Sequence, residues 1–102
     1  MPYGLNEETM QRMSAVFARH PLVERVVLYG SRAKGCFKPG SDIDLSICAE
    51  GLLSPGEKDR ILDELDDLDL PYVIDLNIFD RLTNEELRRH IERVGVVFYR
   101  RA

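Results

Sequence analysis

Two aspartates one residue apart, Asp42 and Asp44, alternate with the aliphatics Ile43, Leu45 and Ile47. Successive side chains on a strand point to opposite faces, so both carboxylates share one face and the aliphatics the other. Aspartate is a poor strand former, and two of them in alternation call for a cause. Their Cα atoms would lie roughly 6.6 Å apart, at about 3.3 Å per residue. At an effective dielectric of about 20 that like-charge pair costs on the order of 2.5 kcal/mol. The cost is bearable on a wet face and changes sign when a divalent cation sits between the two. A few carboxylates completed by phosphates and water are what Mg²⁺ takes.

Just upstream, the apolar run Val26-Val27-Leu28-Tyr29 feeds into Gly30-Ser31. The pattern predicts a buried strand ending in a tight turn, with Ser31 opening a short helix. Such a turn aims free backbone N–H groups and a small hydroxyl at one spot, which suits a phosphate. Arg32 and Lys34 add positive charge, and Pro39-Gly40 turns the chain back toward the aspartate strand. A phosphate cradle one loop away from an acidic pair predicts a metal–nucleotide site.

This stretch resembles the signature of the DNA polymerase beta-like nucleotidyltransferases, and among them the small minimal nucleotidyltransferase (MNT) domains. Gly30, Ser31, Arg32, Gly35, Ser41, Asp42, Asp44 and Leu45 carry the resemblance. The family has a third carboxylate on a later strand, and Asp75 in Tyr72-Val73-Ile74-Asp75-Leu76-Asn77-Ile78-Phe79 fits that place. The resemblance implies catalysis by Asp42, Asp44 and Asp75, which together hold two Mg²⁺ ions. It also implies nucleotide contacts from Gly30, Ser31, Arg32 and Ser41, with ATP as substrate and pyrophosphate leaving. Arg32 and Lys34 are candidates to neutralise the leaving charge.

Composition bounds the rest. The 102 residues, 44% hydrophobic and 31% charged, describe one domain with a modest core. No apolar run approaches the roughly 20 residues of a membrane span, and no signal-peptide pattern opens the chain. Cys36 and Cys48 lack zinc spacing and read as reduced thiols of a cytoplasmic protein, a disulfide being unneeded. A net charge of −4 argues against the domain gripping nucleic acid unaided.

The positioning elements follow from caps and periodicity. Asn6 caps a first helix through about Arg19, with Met10, Met13 and Phe17 on one face. His20-Pro21 closes it, His20 reading as a simple helix-end residue. The first strand spans Val23 to Tyr29. Ser54-Pro55-Gly56-Glu57 reads as a capping box opening a helix to about Leu68, with Ile61, Leu62, Leu65 and Leu68 buried. Its other face, with Asp59, Asp63, Glu64, Asp66 and Asp67, reads as solvated and able to meet a basic partner. A third strand after Pro71 puts Asp75 and Asn77 on one face and Ile74, Leu76 and Ile78 on the other. Thr83-x-x-Glu86 reads as a second capping box, with Leu87, Ile91 and Val94 inward and His90 on the surface. Gly95 ends that helix, and Val96 to Ala102 reads either as a last strand or as a basic, partly apolar docking arm.

The expected fold is α/β: a small mixed sheet with helices mainly on one face and the acidic face open, the polymerase beta palm-like architecture. A chain with no acceptor-binding domain needs a partner to supply the acceptor. The MNT resemblance implies one: a HEPN-domain ribonuclease toxin, AMPylated on a tyrosine by this chain as its antitoxin. Two alternatives stand beside it. One is a small-molecule nucleotidyltransferase of the aminoglycoside-modifying kind; the other is a non-catalytic antitoxin that neutralises by binding.

Overall fold

The computed structural model describes residues 2–102. A 3₁₀ turn, Pro2–Gly4, precedes helix α1, Glu7–Ala18. Strand β1, Val23–Tyr29, runs into the short helix α2, Gly30–Lys34. Strand β2, Ile43–Ala49, is followed by helix α3, Pro55–Asp66, and strand β3, Ile74–Ile78. A 3₁₀ turn at Phe79–Arg81, helix α4 at Glu85–Val94 and strand β4 at Val96–Arg100 complete the order. The sheet is mixed, ordered β3-β2-β1-β4, with β1 antiparallel to β2 and β4 and β2 parallel to β3.

Polar caps set where the helices begin. Asn6 Oδ1 accepts from Thr9 N at 2.7 Å, and Glu7 and Glu8 sit at the positive end of α1. Ser54 Oγ accepts from Glu57 N at 3.1 Å. The expected capping box there is only half made, because the Glu57 carboxylate turns to the His20 ring at 2.6 Å. α4 is capped by Asn84, not Thr83: Asn84 Oδ1 accepts from Leu87 N at 3.1 Å. Asparagine is at least as good an N-cap as threonine, so the neighbouring position takes the role. α3 stops at Asp66 rather than near Leu68, which lies in the turn that follows, where Asp69 adopts a left-handed backbone.

The main core lies between the sheet and the pair α1 and α3. Met13, Val16 and Phe17 of α1 and Ile61 and Leu65 of α3 join Val26, Leu28, Ile43, Leu45 and Ile47 there. The opposite face is not left wholly open, as the alternation predicted. Helix α4 lays Ile91 over Val27 and Tyr29, with Leu87 and Val94 beside it. Gly95 lets that helix turn directly into β4, since a Cβ there would overlap the Ile91 carbonyl oxygen and Val27. The acid-bearing half of the face, over β2 and β3, stays accessible: Asp42 and Asp75 are exposed and Asp44 half-buried.

One further expectation is corrected, and one open alternative is decided. His20 is 6% exposed, bracketed by Glu57 at Nδ1 (2.6 Å) and Glu64 at Nε2 (3.0 Å), and so ties α1 to α3. The last segment is a strand and not a free arm. Arg100 pairs in register with Arg25, and the Arg101 guanidinium meets the Pro21 carbonyl and Glu50.

Candidate active site

β1, β2 and β3 bring three residues abreast. Tyr29 lies opposite Asp44 across the antiparallel pair, and Asp44 lies opposite Asp75 across the parallel pair. Asp42 stands one residue ahead of β2, where the loop enters the strand. The three acids are therefore neighbours at one end of the two strands. Burial pushes the Asp44 carboxyl up, the Asp75 and Asp42 charges push it further, and His90 opposes them. Oxygen-only donors crowded by like charge form a set that gains from a bound divalent cation. Among the described residues no three histidine, cysteine or acidic side chains converge closely enough to form a complete cage. Mg²⁺ does not need one: it binds through one or two carboxylates together with substrate phosphates and water.

Gly30 fits the turn into the acid strand. Its φ is +78°, and a Cβ there would overlap Asp44 Oδ2. Only glycine both adopts that backbone easily and lets the chain lie against the carboxylate. α2 starts at this point with no side-chain cap, so its first amides have no intrahelical partner. Ser31 follows, half-buried beside them.

Arg32 and Ser41 are placed differently from what their charge and polarity predict. Arg32 is 2% exposed, with Nε (3.1 Å) and Nη2 (2.8 Å) donating to the Ser41 carbonyl and Nη1 (2.8 Å) to the Tyr3 carbonyl. The Phe37 and Tyr72 rings lie 5.1 and 4.8 Å from its guanidinium carbon. Ser41 Oγ accepts from Lys38 N at 2.9 Å inside the same loop. Lys34 is exposed.

Four residues join the site that charge and motif do not single out. Ser46 Oγ donates to Asn77 Oδ1 at 2.6 Å, and Asn77 Nδ2 donates to the Tyr29 hydroxyl at 2.8 Å. This chain crosses the sheet from β3 to β1 beside Asp44. Burial, then the Asp75 and Asp44 charges, push the Tyr29 hydroxyl up to about 12, against the Asn77 hydrogen bond. Tyr29 is thus a neutral floor residue at physiological pH. His90 stands edge-on to its ring at 6.3 Å, carried over the acid face by α4. Strand parity already puts Ser46 with Asp44 and Asn77 with Asp75; nothing local in the sequence announces His90.

A tight glycine turn lies against a strand carboxylate, with a second acid abreast and a third two residues ahead, and comparison with known proteins gives the class to which such a chain belongs. A family model described as polymerase beta nucleotidyltransferase matches residues 11–102, and the chain belongs to that family. Among curated proteins it is similar to a probable protein adenylyltransferase MntA of Haemophilus influenzae, at 39% identity over 69 residues. That match covers 68% of this chain and 60% of the relative's length, so the chain spans less than two thirds of that protein. A solved toxin–antitoxin structure with AMP-PNP superposes with a TM-score of 0.70 at 22% identity, over 92% of this chain and 73% of the other. A toxin–antitoxin MntA–HepT structure gives 0.68 at 17% identity, over 91% and 71%. These two likenesses establish the shared fold. No helix among the described residues is long and apolar enough to cross a membrane.

Proposed function

We propose that this chain is a Mg²⁺-dependent nucleotidyltransferase that moves AMP from ATP to a tyrosine hydroxyl of a HEPN-type ribonuclease toxin and acts as its antitoxin. The observation that carries this reading is Asp44, flanked by Asp75 and Asp42 and pressed by the Gly30 turn. The similarity to an MntA protein adenylyltransferase supports the acceptor class.

In this mechanism the Gly30–Ser31 backbone and the Ser31 hydroxyl hold the outer phosphates. Asp42, Asp44 and Asp75 would hold two Mg²⁺ ions, which would supply positive charge to offset that of the triphosphate and the departing pyrophosphate. Asp75, exposed at the mouth, orients the acceptor hydroxyl and takes its proton. The acceptor oxygen forms a bond to the α-phosphorus as the bond from that phosphorus to the bridging oxygen breaks, and pyrophosphate leaves in line. Neutral Tyr29, braced by Asn77, keeps the floor beside Asp44 free of a further negative charge.

The test is a mass measurement. Incubation with the toxin partner, ATP and Mg²⁺ adds one or more AMP masses to the partner, and EDTA abolishes the addition. An unmodified partner after full incubation rejects the reading.

A further inference from the structure

Arg32 sits next to Ser31 in sequence, and its guanidinium holds the carbonyl of Ser41, the residue before Asp42. One side chain therefore bridges the phosphate cradle and the first acid. It is a buried cation that no carboxylate pairs with among the described residues; carbonyl oxygens and two ring faces take that part.

The enclosure has a third wall. Gly4, at φ +72°, lies so close that a Cβ would overlap the Phe37 ring and stand 2.9 Å from Arg32 Nη1. The Pro2–Gly4 turn, anchored by the fully buried Leu5, thus closes over the guanidinium. Within the loop it grips, Ser41 N donates to the Lys38 carbonyl at 3.0 Å and Lys38 N to Ser41 Oγ at 2.9 Å, and at its start Cys36 N donates to the Ser31 carbonyl at 3.1 Å.

We infer that Arg32 is a positioning residue: enclosed by Phe37, Tyr72 and the Tyr3–Gly4 turn, it fixes the 36–42 loop and thereby the place of Asp42 relative to Ser31, without touching the nucleotide. The catalytic side of this inference rests on the nucleotidyltransferase reading above. Lysine keeps the charge but carries its three donors on one nitrogen, so it loses the planar fork that spans the Ser41 and Tyr3 carbonyls.

The experiment compares wild type, Arg32→Lys and Gly4→Ala by two readouts. Gly4→Ala changes no charge and lies outside the site. In AMP transfer to the partner, both variants lose kcat by about 100-fold, the scale of an ångström of misplacement, with KM for ATP nearly unchanged. In hydrogen exchange of the free protein, both lose protection at the Lys38 and Ser41 amides. A raised KM for ATP in Arg32→Lys, with Gly4→Ala like wild type, makes Arg32 a phosphate contact and overturns the inference. Unaltered exchange in both variants overturns it equally. If Arg32→Lys does not fold, Tyr72→Leu, which removes one half-buried ring of the enclosure, takes its place in both readouts. Failure of wild type to transfer AMP sinks the functional reading alone, because the exchange result still decides the clamp.

Discussion

Asp44 and Asp75 are direct neighbours across the parallel β2–β3 ladder, so the site is built on a standing repulsion between two carboxylates. Tyr29 bounds Asp44 on the other side, and Gly30 leaves no room above it. A central-strand acid placed this way weakens the free protein and is compensated when a cation arrives.

Asp44→Asn should therefore separate stability from activity. Transfer falls by more than about 100-fold, the upper range for groups that only support a metal ligand. Stability of the metal-free protein rises at neutral pH. The sign follows from the raised Asp44 pKa: for an acid lifted above its unfolded value, the folded state loses stability as pH climbs through that region. The gain over wild type should thus vanish in acid, below the unfolded carboxylate range. Urea titrations at several pH values measure both parts. A variant as active as wild type removes Asp44 from the site.

Gly30→Ala should damage both properties at once. The left-handed backbone costs a residue with a Cβ about 1 kcal/mol or more, and overlap with Asp44 Oδ2 adds to it. A melting temperature lowered by several degrees, with transfer lost, is the expected result. Unchanged melting would mean the turn can relax away from Asp44.

His20 gives the fold an acid-sensitive tie. The hydrogen bond and charge of His20 hold the Glu57 carboxyl below its usual range. A depressed carboxylate contributes stability above its unfolded pKa and loses it as pH falls through the folded one. His20→Ala should lower the urea midpoint at neutral pH, and the difference from wild type should shrink in acid below the usual glutamate range. An equal midpoint at neutral pH would make the His20–Glu57 contact energetically idle.

The legible part of this protein is what local periodicity carries. Alternation put Asp42 and Asp44 on one face of their strand and Asp75 on the polar face of its own, the resemblance grouped the three, and the Gly30–Ser31 turn was evident from the apolar run before it. That run also held a signal against an open face: Val26 to Tyr29 does not alternate, which marks a strand covered on both sides, and α4 is the second cover. The surroundings of Arg32 and His20 were not legible, for a different reason. Their partners, Tyr3, Tyr72, Glu57 and Glu64, are distant in sequence, and a charged side chain beside a glycine turn looks the same whether it faces phosphate or a carbonyl. Register decided Asn84 over Thr83, a one-residue choice between two good caps.

ATP with Mg²⁺ should raise the melting temperature, and ATP with EDTA far less. Ligand at about 100 times its Kd stabilises by roughly 2.7 kcal/mol. For a domain of this size that is a shift on the order of 10 °C. Equal shifts with and without metal would reject a metal-bridged nucleotide, and Asp44→Asn should flatten the metal-dependent part.

Asp75→Asn distinguishes an enzyme from a plug. Asp75 is exposed at the mouth of the site and opposite Asp44, so its amide variant keeps the strand pairing and the surface shape. It should still bind the toxin partner but add no AMP. Docking itself falls to other surfaces, of which the exposed acids Asp59, Asp63, Asp66 and Asp67 on and just after α3 are candidates. Charge reversal there should weaken the complex more at low salt than at high salt, as screening predicts. Arg101, paired with Glu50, should matter to the edge of the sheet rather than to the partner. Toxin treated with wild type and ATP should stay inactive after this chain is stripped away, whereas toxin treated with Asp75→Asn should recover its activity. If Asp75→Asn neutralises as well as wild type and neither adds mass, the chain acts by occupancy and the acids serve no transfer.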